Sequence, residues 1–142
     1  EKEFHYLGDK YNLIYDDEIT TPYFQKDNFY VKNNKMLEKF WKDECLKIFS
    51  KRVLALKELF DYLPEFSLKI RFMKTRWGVC NRSNNTITLN SELLKKEITL
   101  LDYVIVHEMC HFKHPNHSKD FWNEVSKYYP YYKLARKKLK EV

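Results

Sequence analysis

Residues 107–117 read His-Glu-Met-Cys-His-Phe-Lys-His-Pro-Asn-His, and no other stretch constrains the fold as strongly. Two histidines four apart act together only on a helix, where positions i and i+4 share a face. Pro115 then stops that helix after about His114, since proline removes an amide donor and clashes with the preceding turn. Upstream, Val104, Ile105, Val106 and Met109 make the same helix apolar enough to be buried. Histidines at its exposed end would therefore face a cleft rather than bulk water.

The chemistry follows from the spacing. His107 and His111 can each offer a ring nitrogen to one tetrahedral Zn²⁺, with Glu108 beside the metal as general base. Glu108 points about 100° around the helix axis from His107, toward an attacking water. Only 5 histidines occur in 142 residues, so the clustering of four of them here argues against ordinary core or capping roles. A catalytic site needs a third protein ligand and an open position. His117 suits that place because Pro115-Asn116 turns the chain back; His114, three residues after His111, competes for it. Cys110 is a buried small hydrophobe or, in a closed structural site, a fourth ligand. Asp120 could orient His117 or His111, or serve as a first-turn helix acid.

Composition narrows the classes. The length suits one domain, residues 1–142, with a single ordinary core. Only Gly8 and Gly78 are glycines, which argues against phosphate-cradling glycine loops. No apolar run is long enough to span a bilayer. Three cysteines, an odd number without metal-ribbon spacing, suit a reducing cytoplasm. Because the chain begins at Glu1, a longer N-terminus is expected. The net charge of +6 concentrates in Lys133, Arg136, Lys137, Lys138 and Lys140, either a solvated helix end or a surface for polyanions.

Periodicity divides the chain into a β-rich part at 1–33, a long helix at 34–63 and a core at 64–142. Phe4–Leu7 and Tyr11–Tyr15 flank a turn at Gly8-Asp9-Lys10, and Asn28–Lys32 reads as another strand. Asn33 or Asn34 can cap the long helix, with Pro64 past its end. Alternation at Leu68, Ile70 and Phe72, then Trp77–Cys80 and Thr86–Asn90, predicts an antiparallel hairpin. Thr99 and Asp102 form a plausible capping box. A further helix begins near His117 or Ser118, and Pro130 separates it from a last basic helix. The expected class is α+β, a small antiparallel sheet packed on helices with the histidine motif on a buried helix.

Several motifs occur in one order: Arg76-Trp77-Gly78-Val79-Cys80, Ile87-Thr88-Leu89-Asn90, Asp102 to Glu108, His114-Pro115-Asn116-His117-Ser118 and Phe121-Trp122. In this the chain resembles the YgjP-like metallopeptidase domain, a group related to SprT-like and Wss-type proteases. The resemblance covers roughly residues 60 to 140. It implies a minimal zincin-like (gluzincin-like) fold, one zinc held by His107, His111 and His117, and catalytic Glu108. It also implies a cleft bordered by the stretch from Arg76 to Asn90.

The leading expectation is a zinc metallopeptidase acting on a peptide or protein, the substrate adding as a strand to the edge of Thr86–Asn90. Arg76, Trp77 and Asn90 are candidate substrate-binding residues; Tyr103, Tyr128 and Tyr129 are candidate oxyanion stabilisers. One alternative is a nucleoside triphosphate pyrophosphohydrolase with Arg71, Lys74, Arg76 and Arg82 on the phosphates. Another is a nucleic-acid-associated, SprT-like protein using its basic tail.

Overall fold

A computed structural model describes residues 2–140. Four strands open the chain: β1 (Lys2–Tyr6), β2 (Asp9–Tyr15), β3 (Tyr23–Gln25) and β4 (Asn28–Val31). They form a sheet in the order β1-β2-β4-β3. The β1–β2 hairpin turns at Leu7-Gly8, shorter than the expected Gly8–Lys10 turn. Both residues have positive φ, 51° and 92°, the demand of a two-residue type I′ turn. Their amides donate to the carbonyls of Leu94 and Lys95 at 2.8 and 3.0 Å, which ties this sheet to the rest of the chain. β2 and β4 run parallel. Phe4, Leu13, Phe29 and Val31 form its buried face, onto which Phe40 and Trp41 pack.

Helix α1 (Asn34–Lys57) is capped by Asn33, whose side chain accepts from the Met36 amide. It stops six residues short of the expected end at residue 63, although apolar spacing continues through Leu59 and Phe60. There the amides of Leu59 and Phe60 fold back in tighter turns to Leu56 and Lys57. The Phe60 ring leaves the helix to stack on Tyr128 at 4.0 Å.

The second sheet contains β5 (Ser67–Arg71), β6 (Gly78–Asn81) and β7 (Thr86–Asn90) in the order β5-β7-β6. β6 and β7 are the antiparallel hairpin expected, but β5 pairs with β7 in parallel. Both sheets are therefore mixed, not purely antiparallel. The reason is a crossover: β5 and β6 flank β7 on opposite sides, so residues 72–77 must pass over the C-terminal end of β7. Asn90, 3% exposed, fixes that passage. Its amide donates to the carbonyls of Met73 and Arg76, both at 2.8 Å, and its oxygen accepts from the amides of Glu92 and Met73.

A 3-10 turn (Ser91–Lys95) leads to α2 (Ile98–Cys110), in which every residue from Tyr103 to Cys110 is buried. The expected capping box is absent: Glu97 precedes the helix without a side-chain cap. Asp102 instead accepts from Arg52 of α1 through two bonds, at 2.8 and 2.9 Å. α3 (Lys119–Tyr128), capped by Ser118, and the basic α4 (Tyr132–Leu139) complete the chain. The main core joins α1, β7, α2, α3 and α4. No helix among the described residues is long and apolar enough to cross a membrane.

Asn90→Ala leaves two carbonyls and two amides without their partner, those of Met73 buried. An unsatisfied buried group costs about 1–3 kcal/mol, so a loss of roughly 2–4 kcal/mol is expected in urea unfolding. A loss below about 0.5 kcal/mol would show that the crossover does not depend on Asn90.

Candidate metal centre

The site is built where α2 ends. His107 and His111 lie one turn apart, His111 at the C-cap. The chain continues helically for a few residues, the His114 amide donating to Cys110 at 2.9 Å, before Pro115 turns it. His117 then precedes Ser118, the cap of α3, so cap and histidine are placed together. Nε2 of His117 lies 3.2 Å from Nε2 of His107 and 3.0 Å from Nε2 of His111. The three ligand atoms all fall within 4.8 Å of one another. A tetrahedral zinc with bonds of 2.0–2.1 Å needs donor separations of about 3.3 Å, close to those present.

Proton accounting supports the fit. Nδ1 of His111 lies 3.0 Å from the His114 carbonyl, which only accepts, so Nδ1 carries the proton and Nε2 is a free lone pair. Nδ1 of His107 meets the Tyr103 hydroxyl at 3.1 Å. Outward Nδ1 contacts of this kind fix ring orientation and leave Nε2 for a metal. The Nε2 of His117 carries at most one proton while neutral and faces two other nitrogens, an arrangement that a shared cation would satisfy.

Phe121 forms the floor. Its buried ring lies 4.9, 4.5 and 5.0 Å from those of His107, His111 and His117. Trp122 closes one side, 5.6 Å from His107 and 5.7 Å from His117. Glu108, 5% exposed, brings its carboxylate to 4.0 Å from Nε2 of His107. β6 runs directly against it. A Cβ on Gly78 would meet Val104 at 2.9 Å and the Glu108 side chain at 3.0 Å, so only glycine allows this approach.

These groups open into a cleft of about 770 Å³, walled by residues 75–82 on one side and by Trp122, Arg136 and Lys140 on the other. Arg76 and Trp77 line it as expected, and the Trp77 indole also donates to the Leu139 carbonyl at 3.2 Å. Asn90 does not line it; its side chain is engaged by the crossover behind the wall. Thr86–Asn90 offers no free edge either, being the central strand. The free edge beside the histidines belongs to β6.

The remaining candidates separate clearly. His114 turns away, its Nε2 4.0 Å from Glu124, and Cys110 is buried outside the ligand cluster. Asp120 makes no hydrogen bond among the described residues and occupies the first turn of α3. Tyr103 lies beneath His107, Tyr128 reaches Glu124 and Tyr129 packs on Tyr103, so none of these tyrosines lines the cleft. Of the four expected phosphate ligands, Arg76 and Arg82 border the cleft, Lys74 does not line it, and Arg71 lines a separate groove. Sequence reasoning does not place Phe121, Trp122 or Arg136 at the site. Tyr103 carries a legible signal for its orienting position, standing one turn before His107 on the same helix face.

Burial, reinforced by His111, His117 and Arg136, holds the His107 imidazole far below its ordinary 6.5, at about 3. Burial also lowers His111, although the His114 carbonyl opposes it. Without metal, the unfolded chain therefore binds protons that the folded chain refuses between these values. This contribution to stability is fully present above pH 6.5 and is lost as the pH falls toward 3. Urea midpoints of chelated protein should drop between about pH 7.5 and pH 5; an unchanged or rising midpoint would show His107 open to protonation.

No curated protein matches the chain. Among solved structures, it is similar to the metallopeptidase zymogen of Pyrococcus abyssi abylysin, with 27% identity and a TM-score of 0.58, over 66% of this chain and 96% of that one. It is also similar to the metallopeptidase zymogen of Methanocaldococcus jannaschii jannalysin, with 25% identity and a TM-score of 0.55, over 65% and 91%. The family model of the YgjP-like metallopeptidase domain matches residues 1–142, and the chain belongs to that family.

Proposed function

We propose that the chain, acting as one domain over residues 1–142, is a zinc peptidase. In this reading His107, His111 and His117 hold the metal and Glu108 is the general base. The observation that carries it is the convergence of three imidazole Nε2 atoms beside a buried carboxylate, in a cleft walled by a free strand edge. A bound zinc lowers the pKa of water and polarises the attacked carbonyl. Glu108 takes the proton of the attacking water and returns it to the leaving amine. The outer edge of β6 holds an extended substrate through backbone hydrogen bonds, with the scissile carbonyl beside Glu108 because Gly78 brings strand and carboxylate together. Membership of a metallopeptidase family and likeness to two metallopeptidase zymogens support the reaction class. Histidine nitrogens with no thiolate among them suit zinc in a catalytic site. The free thiols of Cys45, Cys80 and Cys110 fit a reducing cytoplasm.

Glu108→Gln keeps the shape of the side chain and removes the base, so peptide hydrolysis should fall by about 10²–10⁴-fold while bound zinc stays stoichiometric. Unchanged hydrolysis would remove Glu108 from the reaction. His117→Ala should weaken zinc binding in competition with a chelator by more than about a hundredfold, and His114→Ala by less than about tenfold. The reverse order would exchange the third ligand.

A further inference from the structure

The cleft is strongly cationic. Arg76, Arg82, Arg136 and Lys140 line it, and Glu108 is the one carboxylate among its described lining residues. Arg76 stands two residues before β6 and Arg82 one residue after it, so an extended peptide on this edge would pass a guanidinium at each end. Neither forms an ion pair among the described residues. Arg136 lies across the cleft with its guanidinium 4.3 Å above the Trp122 ring. Since Trp122 packs on His107 and His117, this charge is one aromatic ring away from the histidine cluster. Stacking pre-organises its planar fork, the geometry that recognises a carboxylate through two bonds. On α3, the buried Glu124 pairs with Lys127, Lys113 and His114.

We propose that this cleft selects acidic peptides. Arg136 receives a carboxylate side chain next to the scissile bond, and Arg76 and Arg82 attract acidic residues at the two ends of the bound strand. The hydrolytic part of the proposal rests on the peptidase reading; the selectivity does not. An isolated nucleic acid would meet the same charges, but the cations here flank a strand edge able to pair with a peptide backbone.

Binding is therefore measured first on zinc-loaded Glu108→Gln protein. The probes are fluorescein-labelled octapeptides with an Ala-Phe centre flanked by Glu, Gln or Lys, and a labelled thymidine octanucleotide as competitor. The Glu peptide should bind about tenfold more tightly than the Gln peptide, with the Lys peptide weakest, the gap equivalent to about 1.4 kcal/mol. The gap should shrink at roughly 0.5 M salt. Arg136→Gln should abolish most of it. Arg82→Glu, at an exposed position that cannot unfold the chain through lost packing, should narrow it by several-fold. Equal binding of the Glu and Gln peptides would overturn the proposal, as would an octanucleotide that binds more tightly than the Glu peptide. Cleavage by the unsubstituted protein separates the two readings. Hydrolysis of all peptides without acidic preference sinks the selectivity alone; acidic-selective binding without any hydrolysis sustains the selectivity and sinks the peptidase reading.

Discussion

A helix that is apolar on all sides has to be covered on all sides, and α2 imposes that demand on everything around it. α1 covers one side and is held there by the Arg52–Asp102 pair. β6, β7, α3 and α4 cover the others. Into this dry environment the last turns of α2 carry His107 and Glu108, 9% and 5% exposed. Buried polar groups persist only with partners. Tyr103 satisfies one nitrogen of His107, and the other faces His117 and the cleft. Burial that stabilises the helix thus also keeps the imidazole neutral and its lone pair available, the state a metal ligand requires.

Three local devices turn this buried end into a cleft. Asn90 pins the crossover, which frees β6 to stand at the edge of its sheet. Gly78 lets that edge approach Glu108 more closely than any side chain would permit. Phe121 supports all three imidazoles from below. Each of the three sets a distance on which positioning depends.

The histidine motif is legible in the sequence because its information is local. Helical spacing, the Pro115 stop and the Ser118 cap all act within about a turn or two of the chain. The sheet order is not, because which strands pair depends on contacts far apart in sequence; β5 and β6 look like consecutive hairpin strands until the crossover is seen. Asn90 ends a strand expected to border the cleft, and only tertiary structure shows its amide turned to the backbone of residues 73–76. The span 34–63 overstates the long helix since Leu59 and Phe60 keep the apolar rhythm, and rhythm cannot tell helix packing from a ring that stacks on Tyr128. Arg136 belongs to a basic tail by composition. Its place above Trp122 follows from how α4 folds back over α3.

X-ray absorption spectroscopy at the zinc edge tests the central claim most directly. Three histidine nitrogens and one oxygen, all at about 2.0–2.2 Å, are expected for the loaded protein. A sulfur at about 2.3 Å would bring Cys110 into the coordination sphere, make the site closed and structural, and contradict a catalytic zinc held by His107, His111 and His117.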